Sequence, residues 1–180
     1  MKQVQWLLLI GGAAMLAYCG FVWIDALVFD QAERELFVVQ GNTPAPIALA
    51  SPGSIGRLEI PRLGVSAAVA EGTSGKTLRR AVGHIAGTGF PGKPGNVGIA
   101  GHRDTFFRPL RNIRRNDIIL LSTVSGEYRY EVMSTRIVSP SEVEVLAPSK
   151  TEILTLVTCY PFYMIGAAPD RFIVRAKRIS

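Results

Sequence analysis

Residues 153–161 read Ile-Leu-Thr-Leu-Val-Thr-Cys-Tyr-Pro. β-Branched and aliphatic side chains dominate the run, and a proline, which cannot donate to a sheet ladder, ends it. A strand over 152–158 therefore delivers Cys159 to a rim, where a loop begins. Outward from it, similar short runs recur. Residues 55–60, Ile-Gly-Arg-Leu-Glu-Ile, alternate and stop at Pro61. Residues 65–70 follow a turn at Arg62-Leu63-Gly64, and further strands are expected over 96–100, 118–122, 127–138 and 171–176. Turn signals separate them: a Gly- and Pro-rich stretch over 87–95, Ser125-Gly126, Ser139-Pro140 and Pro148-Ser149. Residues 77–81 and 106–111 each read as a helical turn. Many short strands at this spacing predict a mainly β domain, a barrel or sandwich, rather than an α/β sheet.

The chain has 180 residues, of which 48% are hydrophobic, which excludes a disordered or collagen-like polymer. Two cysteines are too few for a disulfide framework. The mean hydropathy of +0.24 is high for a soluble protein, and much of it comes from residues 4–24, which carry no charged side chain. Such a helix spans roughly 30 Å, the thickness of a bilayer's hydrocarbon core. Trp6 lies near one end, and Phe21 and Trp23 near the other, as interfacial aromatics do. A cleaved signal peptide would have a shorter apolar core and a small-residue exit, and Tyr18 argues against lipidation at Cys19. Residues 1–25 are read as an uncleaved transmembrane anchor. Residues 26–40, with Leu27, Val28, Leu36 and Val39 interleaved with Asp30, Glu33, Arg34 and Glu35, read as a juxtamembrane amphipathic helix. Residues 41–56, with Pro44, Pro46 and Pro52, read as a linker. A domain over 57–180 remains, long enough to bury a core. The positive-inside count is nearly a tie. A short tail inside and the large domain outside the cytoplasm is the expected topology.

The net charge of +6 is uneven: 18 bases and 10 acids give the domain from Arg57 onward +8, while residues 26–56 sum to −2. Five arginines lie between Arg103 and Arg115, read as a solvated basic face that also suits an anionic envelope surface. Nucleic acid is not expected as a partner, since no aromatic-interleaved platform accompanies the bases. No phosphate-binding glycine loop occurs, and one cysteine with two histidines is too little for a closed zinc site.

With Cys19 in the apolar span, Cys159 is the domain's one thiol. A buried cysteine packing as a small hydrophobe is the plain alternative. Its place at a rim, and the liability of an unpaired thiol outside the cytoplasm, favour a catalytic role. His102 likewise stands where a strand of small residues stops. His84, between apolar residues, fits a structural, hydrogen-bonded histidine better. Arg171 opens the last strand, where alternation places Arg171, Ile173 and Arg175 on one face and Phe172 and Val174 on the other. Nothing in composition distinguishes Arg171 from a surface arginine.

Thr155-Leu-Val-Thr-Cys159 resembles the TLxTC signature of sortases, with Gly101-His102 upstream and Arg171 downstream. Residues 95–107, Gly-Asn-Val-Gly-Ile-Ala-Gly-His-Arg-Asp-Thr-Phe-Phe, together with Cys159-Tyr-Pro-Phe162 and Ala168-Pro-Asp-Arg171, most resemble class D sortases. The similarity runs over about 54–180, and the anchor and linker match the family layout. The resemblance implies an eight-stranded sortase-type β-barrel with short helical turns, preceded by one transmembrane helix. It implies a membrane-anchored transpeptidase that cuts an LPxT-like C-terminal sorting signal and passes the acyl group to an amine on a wall precursor or pilin. Cys159 would then be the nucleophile, His102 the general acid/base and Arg171 the stabiliser of the acyl intermediate. The chemistry suits these residue types: a neighbouring cation favours the thiolate, a guanidinium donates to an oxyanion, and a histidine protonates the leaving amine and deprotonates the incoming one.

A groove must admit an amine while limiting water. The loops over 139–150 and 160–170 are its expected walls, with Leu146, Tyr163, Met164 and Ile165 as apolar candidates; Thr158, Leu146 and Tyr163 are the expected substrate contacts. No cofactor is expected. Some barrels of this kind use Ca²⁺, and Glu142, Glu144 and Glu152 form no convincing cluster for it. Two other functions stay open: a thiol peptidase or hydrolase using the same residues, and a tethered barrel that binds envelope components with an inert thiol. An L,D-transpeptidase ranks lower, because its signature around the cysteine differs.

Overall fold

The structure, a computed structural model, describes residues 2–38, 53–164 and 166–179, with side chains described from residue 3 and not over 25–38. Helix α1 (Lys2–Val38) runs without a break through the apolar span and the charged stretch after it. Its segment Gln3–Ile24 is 22 residues long and apolar enough to cross a bilayer. Among the described residues nothing covers its Leu7, Leu8, Leu9, Ile10, Leu16 and Phe21, which stand exposed. Most of the expected linker lies outside the described residues, and the first strand already begins at Ser54, inside the span read as linker.

Eight strands follow: β1 (Ser54–Ile60), β2 (Val65–Glu71), β3 (Val82–His84), β4 (Gly95–Ala100), β5 (Ile118–Thr123), β6 (Gly126–Val138), β7 (Glu152–Tyr160) and β8 (Asp170–Arg178). They close into a barrel in the order β1-β2-β3-β4-β7-β8-β6-β5, because β1 pairs with both β2 and β5. Closure leaves no free sheet edge. The pairs β2–β3 and β4–β7 are parallel, the remaining pairs antiparallel. Strand β3 was not read from the sequence, since three residues are too few to show alternation. Between β2 and β3 lies α2 (Gly75–Arg80), where a helical turn was expected; the Ser74 hydroxyl caps it by accepting from the Thr77 N–H at 3.1 Å.

Alternation sorts the side chains. Val97 and Ile99 on β4, Leu154 and Leu156 on β7, and Val174 and Ala176 on β8 point into the core with Leu58, Ile60, Val69, Leu121 and Tyr130. Asn96, Gly98 and Ala100, then Thr155, Val157 and Cys159, then Arg171, Ile173 and Arg175 take the outer face. The expected grouping of Arg171 with Ile173 and Arg175 agrees with this. Phe107 and Leu110, around a 3-10 turn at Arg108–Asn112, fill the core from the long β4–β5 connection. Phe162 and Phe172, 5.2 Å apart and near Tyr160, pack at the barrel end beneath Cys159.

Two polar clusters fasten the wall elsewhere. The Arg62 guanidinium grips Asp117, which also accepts from the Arg114 N–H at 2.7 Å, and so joins the turn after β1 to the start of β5. Those donors hold the Asp117 carboxyl below the usual carboxylate range, the Arg62 hydrogen bond being the largest cause. On β6, burial pushes the Tyr130 hydroxyl up, and it donates to Glu152, which Arg178 also approaches at 3.2 Å.

Candidate active site

Strands β4 and β7 are parallel neighbours, so both finish at the same end of the barrel. Strand β8 is antiparallel to β7, so it starts there. The topology thus brings the end of β4, the end of β7 and the start of β8 to one edge, and these carry His102, Cys159 and Arg171. The β7–β8 ladder places Cys159 opposite Arg171, and both side chains take the outer face. The strand extends past the expected 158, because Asp170 pairs with Tyr160, so Cys159 is its penultimate residue. On the other side, the β4–β7 ladder ends at Ala100 and Val157 and is prolonged by the Gly101 N–H donating to Val157 O at 3.1 Å. His102 follows Gly101, two residues past the last paired residue of β4. It is exposed, whereas Cys159 and Arg171 are half-buried. Arg171 Nη1 donates to Asp170 O at 2.9 Å and Ala168 O at 3.3 Å, which turns the guanidinium toward the β7–β8 loop.

Gly101 is required by what lies beneath it: a Cβ there would meet the Phe107 ring at 2.7 Å. The backbone before His102 therefore lies directly on the core. Thr158 locks it from the other side, donating its hydroxyl to Gly101 O at 2.8 Å. That corrects the expectation that Thr158 contacts substrate: it is 2% exposed and its one proton is committed to backbone. Thr155 has a parallel role. Its hydroxyl donates to Asn96 Oδ1 at 2.7 Å, and Asn96 Nδ2 donates to Val145 O at 3.0 Å and Ala147 O at 3.2 Å. Both threonines of the Thr155–Cys159 motif thus fix loops around the thiol.

The β6–β7 connection, pinned by Asn96, forms a 3-10 turn at Val143–Leu146 and lays Leu146 over β4. A Cβ at Gly98 would meet Leu146 Cδ2 at 3.0 Å. Leu146 is half-buried on the same face as Cys159, about 13 Å along the strand at roughly 3.3 Å per residue. Tyr163 in the β7–β8 loop is 77% exposed, with the Arg111 guanidinium 5.6 Å from its ring centroid. Met164 is exposed beside it, and Ile165 lies outside the described residues.

His84 is a buried, hydrogen-bonded histidine, as expected: Nδ1 is 3.0 Å from Glu71 Oε2, and Nε2 is 2.9 Å from Gly89 O. Glu142 accepts from the Ser139 N–H, and Glu152 is occupied by Tyr130, Arg178 and the Gly92 N–H. No group of three His, Cys, Asp or Glu side chains among the described residues comes together to hold a metal ion. Sequence reasoning missed Asn96, Thr155 and Arg103 as supports of the site. Arg103, counted with the solvated basic face, is 5% exposed.

Comparison with known proteins matches the chain to one family. A family model described as the sortase domain matches residues 58–179. Sortase D of Bacillus subtilis is 36% identical over 126 residues, covering 69% of this chain and 64% of that protein. Sortase SrtE1 of Streptomyces coelicolor is 36% identical over 155 residues, covering 72% of this chain and 43% of the relative. The chain thus spans less than two thirds of the length of either. A solved Clostridium perfringens sortase D5 transpeptidase superimposes with a TM-score of 0.64 at 32% identity, covering 71% of this chain and 79% of that one. The chain belongs to the sortase family, and class D sortases are among its relatives.

Proposed function

We propose that this chain is a membrane-anchored cysteine transpeptidase. It cleaves an LPxT-like sorting signal near the C-terminus of a substrate protein through a thioacyl-enzyme intermediate. It then transfers the protein to an amine acceptor on the cell envelope or a pilin. The observation that carries the reading is the register of Cys159 opposite Arg171, with β4, whose exit leads to His102, as the parallel neighbour of β7.

In this mechanism Cys159 Sγ attacks the scissile carbonyl, and His102 protonates the leaving amine. Arg171 uses one nitrogen on backbone carbonyls and keeps other N–H groups for the developing oxyanion. The incoming amine gives its proton to His102, attacks the thioester, and releases Cys159. Leu146 and Tyr163, on the two flanking loops, supply apolar contacts for the signal peptide. The steps call on side chains alone. Residues 1–25 act as a single-pass anchor, 26–40 and 41–56 as stalk and linker, and 57–180 as the catalytic domain outside the cytoplasm. The exposed apolar surface of α1 supports the anchor.

The test uses the full chain in detergent with an LPxT-type peptide and diglycine. The amide product forms with wild type, a thioacyl adduct maps to Cys159, and Cys159→Ala yields neither. Full turnover in Cys159→Ala ends the proposal, and exclusive hydrolysis at saturating amine replaces it with a thiol peptidase. Labelling of Cys159 by an impermeant maleimide only in broken cells would overturn the topology.

A further inference from the structure

Arg103 follows His102 directly, and it is the buried member of the arginine group: Arg108, Arg111, Arg114 and Arg115 are exposed. Its guanidinium donates to three backbone carbonyls of one loop. Nη1 reaches Pro161 O at 3.0 Å, and Nη2 reaches Met164 O at 2.6 Å and Gly166 O at 2.7 Å. Nε lies 3.5 Å from the exposed Asp104 carboxylate. All three carbonyls belong to the segment between Cys159 and Arg171.

A buried guanidinium is tolerated where its N–H groups find acceptors, and those carbonyls, turned inward, need donors. The planar fork satisfies diverging carbonyls at once; an ammonium, on a shorter stem and without a rigid fork, does not. At the loop's ends Tyr160 pairs with Asp170 and Arg171 bonds Ala168 O, Phe162 packs against Phe172, and the Arg111 guanidinium lies 5.6 Å from the exposed Tyr163 ring. Its middle is held from the β4 exit by Arg103.

We propose that Arg103 is a positioning residue of the site, clasping the β7–β8 loop to the segment that carries His102. It touches none of the three proposed reacting side chains. It sets the separation of His102 from Cys159 and Arg171 by tying together the two segments on which they stand. The catalytic readout rests on the function proposed above; the loop readout does not.

The experiment compares full-length Arg103→Ala, Arg103→Lys and the exposed control Arg108→Ala in detergent micelles. Amide hydrogen exchange over 160–170 is expected to accelerate about tenfold or more in both Arg103 variants, with β1 and β2 unchanged. The kcat for peptide transfer falls about 10²-fold, as a displacement of about 1 Å does. Lysine fails to restore it, Arg108→Ala matches wild type, and added guanidinium ion partly rescues Arg103→Ala. If Arg103→Ala loosens the whole barrel, Arg103→Lys, which keeps the charge, carries the test. Loop exchange and kcat within twofold of wild type in Arg103→Lys overturn the clasp. If wild type transfers no peptide, the function fails on its own. The rate of Cys159 alkylation by iodoacetamide then replaces kcat: a change in the Arg103 variants supports the clasp, and an unchanged rate overturns it.

Discussion

Cys159 and Arg171 are register partners in the β7–β8 ladder, directly opposite one another on the outer face of the barrel. Residues so paired have Cβ atoms about 5 Å apart. Strand pairing thus sets the Arg171 and Cys159 backbones side by side, while the guanidinium bonds Ala168 O and Asp170 O.

Arg171→Ala is expected to lower kcat/KM for peptide transfer by roughly 10²–10³-fold, the worth of one oxyanion donor. Arg171→Lys keeps the charge but loses the planar fork and recovers only part of the rate. Steady-state kinetics of the two variants checks this; equal rates for Lys and Arg would show that charge alone matters.

The two histidines separate by readout. His102→Ala loses orders of magnitude in rate, with thermal stability near wild type, because the ring is exposed. His84→Ala removes a buried ring and its bonds to Glu71 and Gly89 O, and costs roughly 1–3 kcal/mol, seen as a lower Tm. A His84 variant that folds normally yet fails to turn over would reverse the assignment.

Asn96→Asp removes the amide N–H groups that hold Val145 O and Ala147 O, and sets a carboxylate among carbonyls. A loss of roughly 1–3 kcal/mol is expected, with a raised KM as Leu146 leaves β4. Denaturant titration and KM measured on the same preparation test both effects.

Asp117 gives a pH signature. Its carboxyl is held below the usual range, so its contribution to stability is fully present above the unfolded carboxylate pKa, about 3.9. It is lost as pH falls through the lower folded value. The Tm of wild type should therefore drop below about pH 4 more steeply than that of Asp117→Asn, which is less stable at neutral pH and flatter in acid. Parallel slopes would show that Asp117 has no such role.

Seven strands were legible because each is long enough to show alternation or a branched apolar run. Strand β3, Val82–His84, is not: it holds its place through parallel pairing with β2, and such pairing leaves no local signature. Cys159 was legible from its position before Tyr160-Pro161. Arg171 was not, since a guanidinium's neighbour across a ladder is absent from linear spacing; only the resemblance selected it. The role of Thr158 was not legible because its Gly101 acceptor lies 57 residues away in the chain. Arg103 was hidden in a charged run, where nothing in the residue order marks which member turns inward.

The parallel pairing of β4 with β7 also governs when His102 can be brought to the edge that carries Cys159. Strands β5 and β6 are made between them, so the β4–β7 seam forms only after a long excursion of chain has folded back. Long-range parallel contacts of this kind form late. A nascent or partly folded copy can therefore pair Cys159 with Arg171 in the β7–β8 hairpin before the β4–β7 seam brings the end of β4 to the same edge. Completion of the barrel is, in effect, the last step in assembling the edge.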